Sequence, residues 1–183
     1  MRPFLVVGTP RSRTAWLAKF LSYGGRECLH EPSLRFSSSD CLKLFLQNDA
    51  AAASDSMMTF LCHQARSIRQ DCIVVSVRRP LAEVRESFAR LGLTVADWFL
   101  QMLDDRVEMV EEDLANLSVR FSDLEDEKVC KDIFEGCLRT QFDKSWWRSM
   151  KDLNIQSDVR STLTLLRERD ADLARVFRPH YHA

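Results

Sequence analysis

Two short apolar runs, each followed by arginines and then by a helical pattern, most constrain the fold of this chain. Phe4–Gly8 (FLVVG) is rich in β-branched residues, and Cys72–Val77 (CIVVSV) is almost continuously apolar, as in strands covered on both faces. Apolar residues recur at helical spacing after each run, which predicts two strand–loop–helix units. Strands that alternate with helices form parallel sheets, so the sequence predicts an α/β fold.

Weaker patterns extend this alternation along the chain. We predict further strands at Glu27–Glu31 and Leu117–Phe121, and we expect three layers in which a short parallel sheet is flanked by helices. The other predicted helices lie within 33–56, over 57–69, from Pro80 to Leu91, from Val95 to Leu117, at Glu127–Leu138 and at Val159–Phe177. The C-terminal part is predicted to be rich in helix.

The length and composition of the chain are typical of a globular domain. It has 183 residues, of which 45% are hydrophobic and 29% charged, with a formal net charge of −1. A chain this apolar can bury enough surface to fold, which predicts a single domain over 1–183. The N-terminal apolar run is too short for a signal peptide or a membrane span, so no membrane association is expected.

Cysteine usage and charge indicate the compartment and the class of partner. The six cysteines are not at metal-ligand spacing, which favours reduced thiols and a cytoplasmic location. Residues 1–92 carry 13 basic and 8 acidic side chains, whereas the remainder carries 13 basic and 19 acidic ones. We therefore expect an anionic ligand on the N-terminal half. A nucleic-acid partner is not expected, because the sequence has no basic run and no basic stripe interleaved with aromatic residues.

The segment Gly8–Trp16 (GTPRSRTAW) lies between a predicted strand and a predicted helix, where backbone N–H groups favour an anion. Arg11 and Arg13 can make charge-assisted contacts to phosphate or sulfate oxygens, and the hydroxyl groups of the loop can add donors. The segment does not fit the Walker A motif, because the second glycine falls on Arg13, the lysine on Thr14 and the magnesium-binding hydroxyl residue on Ala15. A Mg·ATP site of the usual kind is therefore not expected.

The same loop resembles the 5′-phosphosulfate loop of the sulfotransferases, usually written P-[KR]-S-G-T-[TS]-[WL], for which this chain has Pro10–Trp16 (PRSRTAW). The resemblance implies a P-loop fold that binds 3′-phosphoadenosine-5′-phosphosulfate (PAPS), with Trp16 near the adenine. Arg13 replaces the family's glycine, and it either adds a cation that faces the sulfonate or blocks the close backbone approach that glycine permits. The co-substrate-binding residues that the resemblance implies in this loop are Arg11, Ser12, Arg13, Thr14, Ala15 and Trp16.

A second segment, Ile73–Ser87 (IVVSVRRPLAEVRES), is similar to the 3′-phosphate motif of the same family, in which a strand leads to R-x-P and then to a serine on the next helix. Arg78 fits the arginine of R-x-P. The family's usual arginine-to-serine spacing is eight, whereas Ser87 lies nine positions after Arg78 and eight after Arg79. Both arginines therefore remain candidates for binding the 3′-phosphate, together with Ser87.

Sulfuryl transfer to an alcohol needs a base for the hydroxyl proton and donors for the oxygens of the transferring group. Arg11 is the candidate donor, and His30 and Glu31 are the candidate bases. The resemblance favours Glu31, because several bacterial relatives carry an acid before proline at this point. His30 remains an alternative, because an ordinary imidazole pKa of ~6.5 suits proton transfer near neutrality. Neighbours on a strand point to opposite faces, so at most one of the two is expected to face the cleft.

The resemblance implies a small sulfotransferase of bacterial or phage type, and Asn116–Asp126 (NLSVRFSDLED) extends it over roughly residues 4–140. The implied reaction transfers a sulfuryl group from PAPS to a hydroxyl or amine of an acceptor that the sequence does not identify. No metal is expected, since His63, His180 and His182 are not at ligand spacing with acidic partners. A chain this short could leave part of the acceptor site to a large acceptor, a partner protein or a second copy of the chain.

Two other functions remain open at this point. A nucleotide-dependent kinase would transfer a phosphoryl group and need Mg²⁺, and the missing Lys-Ser/Thr pair argues against it. A non-catalytic nucleotide-binding or interaction module is favoured by Arg13 in the loop and by the absence of one clear base.

Overall fold

Five parallel strands form the main sheet of the computed structural model, which describes residues 2–155, 163–164, 168 and 177–179. The strands in chain order are β1 (Phe4–Gly8), β2 (Leu29–His30), β3 (Ala52–Ser54), β4 (Ile73–Arg78), β5 (Leu93–Val95), β6 (Leu117–Arg120) and β7 (Phe177–Pro179). The main sheet has the order β2–β3–β1–β4–β6, and every neighbouring pair in it is parallel. β5 and β7 form a separate antiparallel pair.

Helices connect these strands, and three of them begin at side chains that cap the helix. The helices are α1 (Thr14–Leu21), α2 (Ser38–Gln47), α3 (Cys62–Ile68), α4 (Leu81–Ala89), α5 (Asp97–Asp113), α6 (Glu127–Leu138) and α7 (Lys144–Met150), with 3₁₀ turns at Pro32–Leu34, Met57–Leu61 and Phe121–Glu125. Ser37, Asp126 and Asp143 accept backbone N–H groups from the first turns of α2, α6 and α7. Such caps satisfy donors that have no partner within the helix.

Helices cover both faces of the main sheet, which gives three layers. α1, α6 and α7 pack on one face, and α2, α3 and part of α5 pack on the other. The alternation of β1 sends Phe4 and Val6 into the first of these cores and Leu5 and Val7 into the second, and all four are 0% exposed. Because both faces of β1 are buried, its sequence is a continuous apolar run.

The connections after neighbouring strands diverge at the carboxyl edge of the sheet. The chain leaves β1 toward α1 on one face, whereas β3 leads to α3, and β4 leads through α4 to α5, on the other face. Parallel sheets form ligand crevices where adjacent connections diverge in this way. The loop after Gly8 therefore lies at a crevice, between the ends of β3 and β4.

The predicted fold class is confirmed, since a short parallel sheet is flanked by helices. The strand at Phe4–Gly8 and the helix at Glu127–Leu138 have the predicted bounds. The helix predicted from Val95 to Leu117 is shorter, because the residues at its two ends belong to β5 and β6 and the helix spans Asp97–Asp113. The predicted helix at Val159–Phe177 lies almost entirely outside the described residues.

Three short elements, β3, β5 and α7, carry no pattern that predicts them. Ala52–Ser54 falls in a stretch assigned to loops and one helix, yet these residues form β3, which pairs with β1 and β2 through its backbone. Three small residues give no measurable period, so tertiary pairing decides their conformation. Within the described part of the chain, no helix is both long enough and apolar enough to cross a membrane.

Candidate functional site

The loop between β1 and α1 (Thr9–Arg13, the β1–α1 loop) is tightly packed against the end of β4. A side chain on Gly8 would overlap the carbonyl oxygen of Val77, so glycine is required where the two strands end. Thr9 joins the two connections, because its N–H donates to Val77 O (3.2 Å) and its Oγ1 accepts from the Arg79 N–H (2.9 Å). Ser12 is fully buried and donates to Thr9 O (2.6 Å), so its hydroxyl braces the loop from inside.

The side chains of Arg11, Arg79, Ser87 and Arg90 line one cavity of about 420 Å³ at this edge of the sheet. Arg11 Nε donates to Ser87 Oγ (3.1 Å), and Arg79 Nη1 donates to Arg11 O (2.8 Å). Burial lowers the pKa of Arg11, and the positive charges of Arg79 and Arg90 lower it further. Guanidinium groups that repel one another in a shared cavity form a favourable environment for an anion.

Arg78 lies outside this cavity, on the face of the sheet covered by α5. Its guanidinium makes a two-pronged contact with Asp104 (2.9 and 2.8 Å) and lies 3.5 Å from Glu108 and 3.6 Å from Glu111. The hydrogen bonds to Asp104 raise the pKa of Arg78 above its ordinary value. Of the two arginines that the sequence leaves open, the structure therefore brings Arg79 together with Ser87, at the spacing of eight.

Glu31 follows β2 and lines the same cavity as Arg11. Its backbone is left-handed (φ 46°, ψ 53°), and its N–H donates to Ser54 O (3.0 Å). Burial, assisted by the negative charge of Asp55, raises the pKa of Glu31 to about 7, although Arg11 acts in the opposite direction. The ionisation of the Glu31 carboxyl group therefore changes near neutral pH.

His30 is not among the residues that line that cavity, although its imidazole lies beside two residues that do. Its Nε2 lies 3.4 Å from Thr14 Oγ1 and 3.8 Å from Glu31 Oε1. Burial, with a smaller contribution from the Arg35 charge, lowers the pKa of His30 to about 4. The imidazole is therefore neutral near pH 7, and of the two candidate bases only Glu31 lines the cavity.

Arg13 and Trp16 lie at a second cavity of about 490 Å³ that adjoins the first, and Asn154 and Ile155 line both. Trp16 is 1% exposed, stacks on Phe20 with ring centroids 4.8 Å apart, and donates from Nε1 to Met150 O (2.8 Å). Trp16 is therefore mainly a core residue, and it also lines the second cavity. Ala15 lines the first cavity.

The side chain of Arg13 extends from the β1–α1 loop toward Glu125 and two aromatic rings. Its guanidinium lies 3.5 Å from Glu125, 5.9 Å from the Trp16 ring and 5.5 Å from the Phe121 ring. Its backbone has φ 64° and ψ 26°, a left-handed conformation that glycine adopts without strain. Arg13 therefore retains a glycine-like backbone, and its side chain borders both cavities.

Sequence reasoning missed three residues of this region, Arg90, Phe121 and Asp55. Arg90 lies one helical turn beyond Ser87, a spacing that could have indicated it. The ring of Phe121 follows β6 and lies 4.0 Å from the Arg79 guanidinium carbon. Asp55 follows β3 and is 0% exposed, and no sequence pattern marks that strand.

Within the described residues, no group of three or more His, Cys, Asp or Glu side chains is arranged to hold a metal ion. His63 pairs with Asp113 at 3.5 Å, whereas His180 and His182 lie outside the described residues. Compared with protein-family models, with curated proteins and with solved structures, the chain matches none of them.

Proposed function

We propose that this protein is a sulfotransferase that moves a sulfuryl group from PAPS to a hydroxyl or amine of an acceptor. The observation that carries the proposal is the cavity in which Arg11, Arg79, Arg90 and Ser87 converge beside Glu31. The two motifs that resemble the phosphosulfate loop and the 3′-phosphate motif are far apart in the sequence, and they meet in this cavity. Several guanidinium groups around a single carboxyl group suit a ligand with several negative charges.

In this proposal the co-substrate occupies the two adjoining cavities. In the proposal, Arg79 and Ser87 bind the 3′-phosphate, while Arg11, Thr14 and the N–H groups of the β1–α1 loop bind the 5′-phosphosulfate. The cavity beside Trp16 offers space for the adenine. Arg13 is compatible with this arrangement. Its backbone has the left-handed conformation that glycine commonly adopts, and its side chain extends toward Glu125.

Glu31 is the proposed base. Its ionised form accepts the proton of the acceptor's hydroxyl or amine as the acceptor oxygen or nitrogen bonds to sulfur. The bond between sulfur and the bridging oxygen breaks, and adenosine 3′,5′-bisphosphate leaves with that electron pair. A pKa of about 7 makes Glu31 a stronger base than an ordinary carboxylate while leaving a useful fraction ionised at neutral pH. Arg11 neutralises charge on the transferring group.

The proposal includes a reducing, cytoplasmic environment. The six cysteines, all in the described part of the chain, are buried and form no disulfide, and burial raises the pKa of Cys28, Cys62 and Cys137 above the ordinary thiol value. Such thiols are protonated and little reactive at neutral pH. The acceptor, and any partner protein or second copy that completes its site, belong to the proposal as well.

A thermal-shift titration tests the proposed ligand. Adenosine 3′,5′-bisphosphate and ATP are each added with and without Mg²⁺, and the midpoint of unfolding is recorded. We expect the bisphosphate to stabilise the protein without Mg²⁺, by about 2.7 kcal/mol when its concentration is 100 times its Kd. Stabilisation by Mg·ATP alone would replace the proposal with a kinase, and no stabilisation by either ligand would leave a non-catalytic module as the better account.

A further inference from the structure

Asp55 is a buried carboxylate for which the proposed reaction has no use so far. It follows β3 directly and is 0% exposed. One oxygen, Oδ1, accepts the N–H groups of Met57 (2.7 Å) and Met58 (3.2 Å), and the other, Oδ2, accepts the N–H of Ser33 (2.8 Å). A buried carboxylate is tolerated only when such donors compensate for its lost hydration.

The contact with Ser33 connects Asp55 to the turn that carries Glu31. Ser33 belongs to the 3₁₀ turn Pro32–Leu34, which begins immediately after Glu31. Glu31 has a left-handed backbone, which is strained for a residue with a Cβ. The end of β3 holds this strained residue at two points, since Ser54 O accepts the Glu31 N–H and Asp55 accepts the Ser33 N–H.

We infer that Asp55 is a positioning residue for Glu31: its carboxylate fixes the turn that carries Glu31, and its negative charge opposes the positive charge of Arg11. This inference rests on the proposed role of Glu31 as a base. Strained backbone is retained where the surrounding structure enforces it, and it concentrates at functional sites.

The surroundings of Glu31 show what the charge of Asp55 adds. Arg11, across the cavity, lowers the pKa of Glu31, whereas burial raises it most and the negative charge of Asp55 raises it further, so burial and Asp55 together preserve the basicity of Glu31. Burial also raises the pKa of Asp55 itself, and its hydrogen bonds with Ser33, Met57 and Met58 act in the opposite direction. His30 adds little charge, because its own pKa is about 4, and Arg35 acts mainly on His30.

The decisive experiment compares Asp55→Asn with the wild type by a ¹³C NMR titration of the Glu31 carboxyl group, assigned with Glu31→Gln. We expect the Glu31 titration to move to lower pH in Asp55→Asn, and the Ser33 amide to exchange its hydrogen about tenfold faster, as the loss of one charge-assisted hydrogen bond predicts. Asp126→Asn is the matched control, because Asp126 also accepts two backbone N–H groups, at the start of α6. That variant should lose stability without moving the Glu31 titration. An unchanged Glu31 titration in Asp55→Asn would overturn the inference.

The wild-type protein gives a second test in case Asp55→Asn does not fold. Two carboxyl groups that interact titrate in two steps, and each resonance reports both. The Glu31 resonance should therefore show a minor step as Asp55 ionises and a main step near pH 7. A single step would contradict the inference. None of these measurements needs PAPS or an acceptor, so a protein that shows the coupling but does not bind adenosine 3′,5′-bisphosphate would contradict the proposed function alone.

Discussion

Arg13 occupies a position where the backbone favours glycine, and its side chain compensates with contacts of its own. The left-handed conformation (φ 64°) costs any residue with a Cβ roughly 1 kcal/mol, whereas the exposed ion pair with Glu125 contributes at most about 1 kcal/mol. Arginine is therefore tolerated here without being optimal for stability. Substitutions of Arg13 can therefore measure the effects of its backbone strain and of its side-chain contacts on stability separately.

A comparison of Arg13→Gly with Arg13→Ala isolates the backbone strain. Both variants lose the contacts with Glu125 and the aromatic rings, but only glycine relieves the left-handed conformation. We expect Arg13→Gly to be more stable than Arg13→Ala by about 1 kcal/mol. Urea denaturation at equilibrium measures the difference. If Arg13→Ala proved equal or more stable, the β1–α1 loop in solution would not have the backbone described here.

Glu31→Gln tests the proposed base through turnover and its pH dependence. Glutamine cannot accept the acceptor's proton, so we expect a loss of turnover of roughly 10²–10⁴-fold while adenosine 3′,5′-bisphosphate still binds. In the wild type, kcat/KM should rise with pH and reach half of its plateau near pH 7, because the ionised carboxylate is the active form. Full activity in Glu31→Gln, measured with PAPS and a panel of phenols and amines, would remove Glu31 as the base.

The same substitution has an effect on stability that requires no activity. Because the pKa of Glu31 is raised from 4.5 to about 7 on folding, the folded chain binds more protons than the unfolded chain between these pH values. The wild type therefore loses stability as pH rises through this window, and Glu31→Gln does not. Relative to the wild type, the variant should be more stable at pH 8 than at pH 5, by on the order of 2 kcal/mol in unfolding free energy.

At the scale of elements, one buried arginine connects the chain before β1 and before β3 to the end of α6. Arg26 donates to the carbonyl oxygens of Arg2, Ala50, Ala51 and Cys137, and its guanidinium lies 4.5 Å from the Phe4 ring. These carbonyl groups lie just before β1, just before β3 and at the end of α6. Arg26 is 7% exposed, so the carbonyl groups would have few alternative donors.

Arg26→Met should therefore destabilise the protein by roughly 3 kcal/mol, because four carbonyl groups lose a charged donor and, of these, Ala51 O keeps the Phe4 N–H. Arg26→Lys should recover only part of this loss, since an ammonium group cannot reproduce the planar fork of a guanidinium. Arg148→Met on the exposed face of α7 is the control, and we expect it to change stability by no more than about 0.5 kcal/mol. Chemical denaturation of the four proteins measures the series, and a small effect of Arg26→Met would show that other donors reach these carbonyl groups.

The elements of this fold were predictable where packing on both faces leaves a mark on the sequence. β1 and β4 are continuous apolar runs for that reason, and the loop after β1 could be placed at the carboxyl edge. The choice between Arg78 and Arg79 depends on which face of β4 each residue occupies. Alternation along β4 places Ser76 and Arg78 on the α5 face, where they contact Glu111 and Asp104, but the sequence alone does not reveal which helix covers which face.

Other features of the site left no local signal. Arg11, Arg13 and Glu31 have left-handed backbones. The usual sequence sign of this conformation is glycine or asparagine, and none of the three residues is of that type. Their conformation therefore depends on the tertiary structure and could not be predicted locally. Asp55 follows a strand of three small residues, whose place is fixed only by pairing with its neighbours. Arg11, Arg79 and Glu31 were therefore predictable from the sequence, whereas Arg90, Asp55 and the backbone geometry of the site were not.

At the scale of the whole molecule, the opposite charges of the two halves of the chain meet at β4. The acidic residues of α5 neutralise Arg78, which belongs to the basic half, whereas Arg79 lines the cavity with Arg11 and Arg90 and pairs with Glu83 at 3.2 Å. Two adjacent arginines thus have separate tasks. Arg78 contributes to the stability of the folded chain, and Arg79 contributes to the positive electrostatic potential of the cavity.

Substitution of each arginine by methionine should separate these tasks. Arg78→Met leaves Asp104, which is 13% exposed, and Glu111, which is 20% exposed, without their partner, so we expect it to lower the unfolding free energy by about 2 kcal/mol. Its response to adenosine 3′,5′-bisphosphate should remain that of the wild type. Arg79→Met should instead reduce the ligand-induced rise in Tm at a fixed ligand concentration, because a charge-assisted contact contributes roughly 1.5–3 kcal/mol, or about a tenfold to hundredfold change in Kd. Thermal unfolding with and without the bisphosphate measures both effects on the same samples. Loss of the ligand response in Arg78→Met with retention in Arg79→Met would reverse the assignment and place the anion on the α5 face of the sheet.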